Sequence, residues 1–134
     1  GTTMKTQLTS PLLAKPNGHF SQATMIEAKG RLVFISGMTA RMQDGTIAGV
    51  GNIEVQARQV CSNLKACVET AGGTLEDICR VDVYVRNIEY FDIIHKVRME
   101  FFKGPPPAST MVEVSKMVKP EYLIEISAIA VIPE

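Results

Sequence analysis

The sequence predicts an α+β domain, a mixed β-sheet with two helices packed on one face. Three observations carry that prediction. Two segments, 53–71 and 90–102, show helical periodicity and are flanked by strand-like runs. The run Ile78 to Arg86 alternates strictly, with Val81, Val83 and Val85 against Arg80, Asp82, Tyr84 and Arg86, as a strand with one buried face does. The resulting order is β-β-α-β-α-β-β. It places strands before and after the second helix, which fits a crossover unit, and makes the first two strands a hairpin.

Taken in chain order, residues 1–16 read as a flexible arm. Irregular character runs on to about residue 20, punctuated by Pro11, Pro16, Asn17 and Gly18. Gly1-Thr2-Thr3 ahead of Met4 reads as a cloning remnant. A single domain is expected over 17–134. Thr24 to Lys29 and Arg31 to Ser36, separated by Gly30, read as the hairpin. Arg41 to Gly51 reads as a loop, with a short strand at Thr46 to Ala48.

The first helix, Ile53 to Ala71, carries apolar residues at Ile53, Ala57, Val60, Cys61, Leu64, Val68 and Ala71, steps that trace one helical face. Asn52 is its expected N-cap, and Gly72-Gly73 its stop. The second helix, Tyr90 to Phe102, places Phe91, Ile94, Val97, Arg98 and Phe101 at helical steps before Gly104-Pro105-Pro106-Pro107 ends it. Thr110 to Met117 and Leu123 to Ile132 are the last strands. On the final strand Ile124, Ile126, Ala128 and Ala130 face one way and Leu123, Glu125, Ser127, Ile129 and Val131 the other. Both sets are largely apolar. Two helices cover only one face, so the other is expected to pack against a further subunit.

Composition excludes several classes of function. The 134 residues are 46% hydrophobic, and 14 basic side chains balance 14 acidic ones. Nucleic-acid and anionic-membrane binders need a basic excess, so neither partner is expected. No window reaches the length of a membrane span, and Gly1 to Pro16 lacks the apolar core of a secretory signal. Cys61, Cys67 and Cys79 form neither a disulfide framework nor a zinc spacing. A reducing, cytoplasmic setting follows, with no metal and no cofactor. There is no phosphate loop and no nucleophile elbow, and the histidines are His19 and His95 alone.

Glu125 is the most informative ionisable residue, because it lies inside the apolar strand Leu-Ile-Glu-Ile-Ser-Ala-Ile-Ala. A carboxylate there is exposed at a strand end, paired with a cation, or set in a cleft for proton transfer. Glu113 is a weaker case of the same kind. Ser36-Gly37 at the end of the second strand could offer a ligand a hydroxyl and a backbone N–H. By position alone, His95 reads as a surface histidine and the triple proline as a helix breaker.

Several segments then resemble one family. These are Gly18-His19-Phe20-Ser21-Gln22-Ala23, Phe34-Ile35-Ser36-Gly37, Gln56-Ala57-Arg58-Gln59 with Asn63-Leu64-Lys65-Ala66, Pro107-Ala108, Val112-Glu113-Val114, and Ile124-Glu125-Ile126-Ser127-Ala128-Ile129-Ala130. Together they are similar to the RidA (YjgF/YER057c/UK114) family of reactive-intermediate deaminases, over about Pro16 to Ile132. The resemblance implies a chorismate-mutase-like α+β fold, a homotrimer, ligand clefts between adjacent subunits, and hydrolysis of enamines or imines to a carbonyl compound and ammonia. It implies that Glu125 orients the attacking water and shuttles its proton. Ser36, Gly37 and the backbone after Ala108 would line the cleft.

Three departures bear on specificity. Ser109 stands where the family's deaminases carry an Arg that clamps the substrate carboxylate, and Thr110 and Met111 follow it. Phe20 replaces a Tyr. His95 corresponds to a polar Asn, and Arg98 to a position often Tyr. The chain thus resembles the Arg-lacking subgroups. The expected function is imine or enamine deamination with an altered pocket. Ser109 and Thr110 would bond a less charged group, and His95 or Arg98 would hold an anion from another side. The alternative is a non-catalytic trimer that binds or senses a small molecule. Neutral charge and the lack of a basic-aromatic patch speak against a ribonuclease.

Overall fold

The structure, a computed structural model, describes residues 5–27 and 29–134. The expected remnant at 1–3 lies outside them. Strands β1 (Lys5–Leu8) and β2 (Ala23–Ile26) form an antiparallel ribbon. Strands β3 (Arg31–Met38), β4 (Ile78–Val85), β5 (Ala108–Glu113) and β6 (Ile124–Ile132) form a four-stranded sheet in the order β3-β6-β4-β5. The sheet is mixed: β4 and β5 run parallel, and the other pairs are antiparallel. Helices α1 (Ile53–Thr70) and α2 (Phe91–Phe101) complete the domain.

The crossover β4-α2-β5 forms as the alternation predicts. Other expectations are corrected. Where the arm reads as irregular, Lys5–Leu8 is a strand. The hairpin of the second and third strands does not form, because β2 pairs with β1 while β3 pairs with β6. Between them Gly30 adopts φ 99 and turns the chain away. β5 begins and ends earlier than Thr110 to Met117. It is parallel to β4, and the ladder from Arg80↔Ala108 to Val85↔Glu113 stops where β4 stops.

Helix α1 begins where Asn52 Oδ1 accepts the Val55 N–H at 3.1 Å, satisfying one of the free amides at a helix start. It stops at Gly72, whose φ of 92 suits the left-handed turn of a C-terminal cap. Its buried stripe, Ile53, Ala57, Val60, Cys61, Leu64 and Val68, packs with Ile94 and Val97 of α2 over one sheet face. From the sheet come Val81, Val83 and Val85 of β4 and Ile124, Ile126, Ala128, Ala130 and Ile132 of β6. Gln56 is the polar member of this core. Its Nε2 donates to Glu121 O at 2.8 Å and Gly49 O at 3.3 Å, and its Oε1 accepts the Leu123 N–H at 2.9 Å. These bonds tether the start of β6, two residues before Glu125.

Among the described residues nothing covers the far face of the sheet, which is apolar along β3 and the end of β6. Leu32 lies beside Val131, and Phe34, 72% exposed, lies beside Ile129. This is the second apolar face that the alternation on β6 predicts.

Candidate functional site

Glu125 lies on that uncovered face, directly across from Tyr84, which in turn pairs with Val112. Opposite it on the other flank, the register between β3 and β6 breaks between Ile35 and Met38, so Ser36-Gly37 form an irregularity in the ladder rather than a strand end. A Cβ placed on Gly37 would lie 2.1 Å from Glu125 Oε2 and 2.8 Å from its Cδ. Gly37 does not have a positive φ. Glycine is therefore required there for space, because the carboxylate of Glu125 lies over its backbone. That carboxylate has no hydrogen bond or ion pair with another side chain among the described residues. It opens on a groove of about 370 Å³ shared with Gly37, Tyr84, Lys116, Met117 and Ser127. Ser36 is exposed nearby. Glu113 has a structural task, accepting the Ile88 N–H at 3.0 Å.

A second site lies on the helix side of the sheet, a cavity of about 270 Å³ between α2, β5 and the segment 17–20. Its central polar group is Arg98, which the sequence places in the apolar stripe of α2. Arg98 is only 6% exposed. Its Nη2 donates to Ser109 Oγ at 3.1 Å and His19 O at 3.4 Å. Burial lowers the guanidinium pKa from its ordinary value, since a desolvated cation is disfavoured. No carboxylate pairs with it among the described residues.

His95 Nδ1 accepts the His19 N–H at 3.1 Å, which leaves the ring proton on Nε2. The ring stacks on Phe91, with centroids 5.9 Å apart and planes 9° from parallel. His19 meets His95 edge-on at 6.2 Å, and its Nε2 donates to Phe102 O at 2.9 Å. The proline run holds the other end of this segment. The Ser21 N–H donates to Pro107 O at 3.1 Å, and the Ser21 hydroxyl donates to Pro106 O. Prolines cannot donate, but they present rigid carbonyls. The run thus does more than end a helix.

Phe20, His95, Arg98, Ser109 and Met111 therefore line one cavity, together with Asn17, His19, Ile88 and Phe91, which the sequence reading does not single out. His95 is not the plain surface residue its position suggests. Thr110 lies apart from this cavity. Side chains alternate along β5, so it points away from Ser109 and Met111, and its hydroxyl accepts from Arg80 Nη2 at 2.7 Å on the uncovered face. Ser36, Gly37 and Glu125 are also on that side, away from the Arg98 cavity. One chain thus holds these residues in two groups, separated by the sheet.

The family model described as Endoribonuclease L-PSP matches residues 12–132. A protein from Dermatophagoides farinae named 2-iminobutanoate/2-iminopropanoate deaminase is 34% identical over 125 residues, covering 93% of this chain and 94% of its own. The chain belongs to the RidA (YjgF/YER057c/UK114) family. A RutC family protein of Pyrococcus horikoshii is 42% identical over 117 residues, with 87% of this chain and 89% of that protein covered. Among solved structures, a Yersinia pestis protein of the conserved Rid family, described as of unknown function, superposes with a TM-score of 0.90 at 29% identity. It covers 97% of this chain and 100% of its own. The Rid fold is thus that of this domain, and imine deamination is an activity found in the family.

Proposed function

We propose that this RidA-family protein hydrolyses an enamine or imine to a carbonyl compound and ammonia, with Glu125 as the proton-transfer group. The observation that carries this reading is the Glu125 carboxylate, laid over Gly37 with no side-chain partner. A strand interior would ordinarily exclude or pair such a charge. An imine carbon becomes electrophilic when its nitrogen is protonated. Glu125 orients a water and takes its proton as oxygen bonds to that carbon. It then returns the proton to the nitrogen of the carbinolamine; the C–N bond breaks as the hydroxyl proton passes to the Glu125 carboxylate, and ammonia leaves with the carbonyl formed. One water is consumed for each ammonia released.

The cavity at Arg98 would hold the rest of the substrate. Because Glu125 and Arg98 lie on opposite sides of the sheet in one chain, the reading needs a second copy. A homotrimer built on the apolar face around Leu32 and Phe34 would set Glu125 of one subunit against the cavity of its neighbour. Sedimentation should give three times the chain mass; a monomer at micromolar concentration would overturn this arrangement. Ser109, at the position where the resemblance expects an Arg, favours a second reading, a ligand-binding trimer without chemistry. Ammonia release from freshly generated carboxylated, dicarboxylated and uncharged imines, with Glu125→Gln as control, separates the two. Release lost in the variant supports the deaminase. Silence across the panel favours the binding module.

A further inference from the structure

We propose that Arg98 anchors a single carboxylate carried on a small, largely apolar ligand, an assignment that rests on reading the cavity as the substrate pocket. An arginine this deeply buried is nearly always paired with an anion. Here its bonds go to a hydroxyl and a backbone carbonyl, both through Nη2. No buried side-chain nitrogen or oxygen among the described residues lacks a partner. The remaining guanidinium nitrogens, which bond neither group, therefore reach solvent, and the solvent beside them is that of the cavity Arg98 lines. Within one chain the cavity wall contains no Asp or Glu. A planar fork of free N–H donors facing such a space matches a carboxylate.

The other walls narrow the class of ligand. Phe20, Ile88, Phe91 and Met111 are apolar. His95 already accepts at Nδ1, so the donor it offers the cavity is Nε2. One cation with neutral donors suits one negative charge, and the pocket does not provide a second cation for a dicarboxylate. A volume of about 270 Å³ is at or below the small end of ordinary ligand pockets. The anion is thus placed by a residue from α2, while Ser109 on β5 is its neighbour rather than its clamp.

Hexanoate and its uncharged isostere hexanamide test this by calorimetry on the protein as it assembles in solution. The acid should bind one per chain, roughly 10- to 100-fold more tightly than the amide, the loss expected when a buried charged donor keeps its place but the ligand's charge is removed. Arg98→Met, with its fold checked by circular dichroism, should bind both compounds alike. Equal binding of acid and amide to the unaltered protein would overturn the assignment, and so would an undiminished preference for the acid in Arg98→Met. No binding of hexanoate, butanoate or benzoate would overturn it too. The acid–amide comparison needs no variant, so a misfolded Arg98→Met leaves the question decidable. Acid-selective binding with no ammonia from any imine would sink the deaminase and keep the anion site. Ammonia from imines together with equal binding of acid and amide would do the reverse.

Discussion

Replacing Gly37 by Ala should silence the protein without unfolding it. The added methyl would sit 2.1 Å from Glu125 Oε2, 2.8 Å from Cδ and 3.0 Å from Cγ, contacts that force the carboxylate to move. All three atoms belong to the outer part of one flexible side chain. The backbone at Gly37 is not in the left-handed region, so Ala meets no dihedral strain. Pushing a Glu125 χ angle about 30° off its rotamer costs about 0.5–1.5 kcal/mol. Ala reduces the entropy of the unfolded chain, which returns about 0.4–1 kcal/mol. The two nearly cancel, so the urea midpoint should move by no more than about 1 kcal/mol equivalent. A displaced proton-transfer group should cost roughly 10²- to 10⁴-fold in turnover. Ammonia release would be measured for Gly37→Ala, Glu125→Gln and the double variant on whichever imine the parent turns over. The double variant should be no worse than the poorer single one, because both remove the same group. Full activity in Gly37→Ala beside an inactive Glu125→Gln would refute the reasoning, since the carboxylate would then work from elsewhere. A loss of several kcal/mol in stability would refute it from the other direction.

Three further outcomes follow from the same geometry. Ser109→Arg sets a second guanidinium beside Arg98, whose Nη2 is 3.1 Å from Ser109 Oγ; without ligand it should destabilise by about 1–3 kcal/mol, and adding Arg98→Met should relieve the loss. Equal urea midpoints for parent and Ser109→Arg would contradict this. Burial pushes the Cys61 thiol up to about 12 and also raises Cys79, so an aromatic disulfide reagent at about pH 8 should modify half-exposed Cys67 first and reach the others only on unfolding. Arg58 holds the Glu100 carboxyl below its usual 4.5. A depressed carboxylate contributes stability that is whole above its unfolded value and is lost as pH falls through the folded one. Glu100→Gln should therefore flatten part of the acid-side decline that begins as pH falls below the usual carboxylate range, and more weakly at high salt; identical profiles would show that the exposed pair contributes nothing.

Much of the fold is legible because its signals are local. Asn52 caps α1 through one side-chain bond three residues away, and the period-two runs on β4 and β6 announce which face each residue takes. The two apolar faces of β6 likewise announce the uncovered surface at Leu32 and Phe34. Strand partnership is less accessible. Nothing near Thr24 says that it will bond Cys79 O, at 2.9 Å, rather than join a hairpin with β3. The early end of β5 likewise depends on the length of β4, not on its own residues.

The division of the site follows from the same arithmetic carried one step further. Ser109, Thr110 and Met111 are consecutive on a strand, so they cannot all face one ligand. Period two alone separates Thr110 from the other two. Glu125 is out of phase with Ile124 and Ile126, whose side chains are buried against the helices, so it too belongs to the uncovered face. What no local pattern conveys is the closure of the cavity. That depends on Ser21 reaching the carbonyls of Pro106 and Pro107 and on His19 meeting His95, contacts between segments more than seventy residues apart. Beside the resemblance that singles out Phe20, His95, Ser109 and Met111, the sequence signal for the cavity is a charge within an apolar stripe. Arg98 stands in an apolar stripe beside Ile94 and Val97, and a cation there needs either a carboxylate from the fold or one from a ligand. Among the described residues the fold supplies none, and Glu125 on β6 has no side-chain partner there, so the two are complementary. Each half-site presents a charge the chain leaves unpaired, and a substrate bearing an anion and an imine between two subunits would meet both.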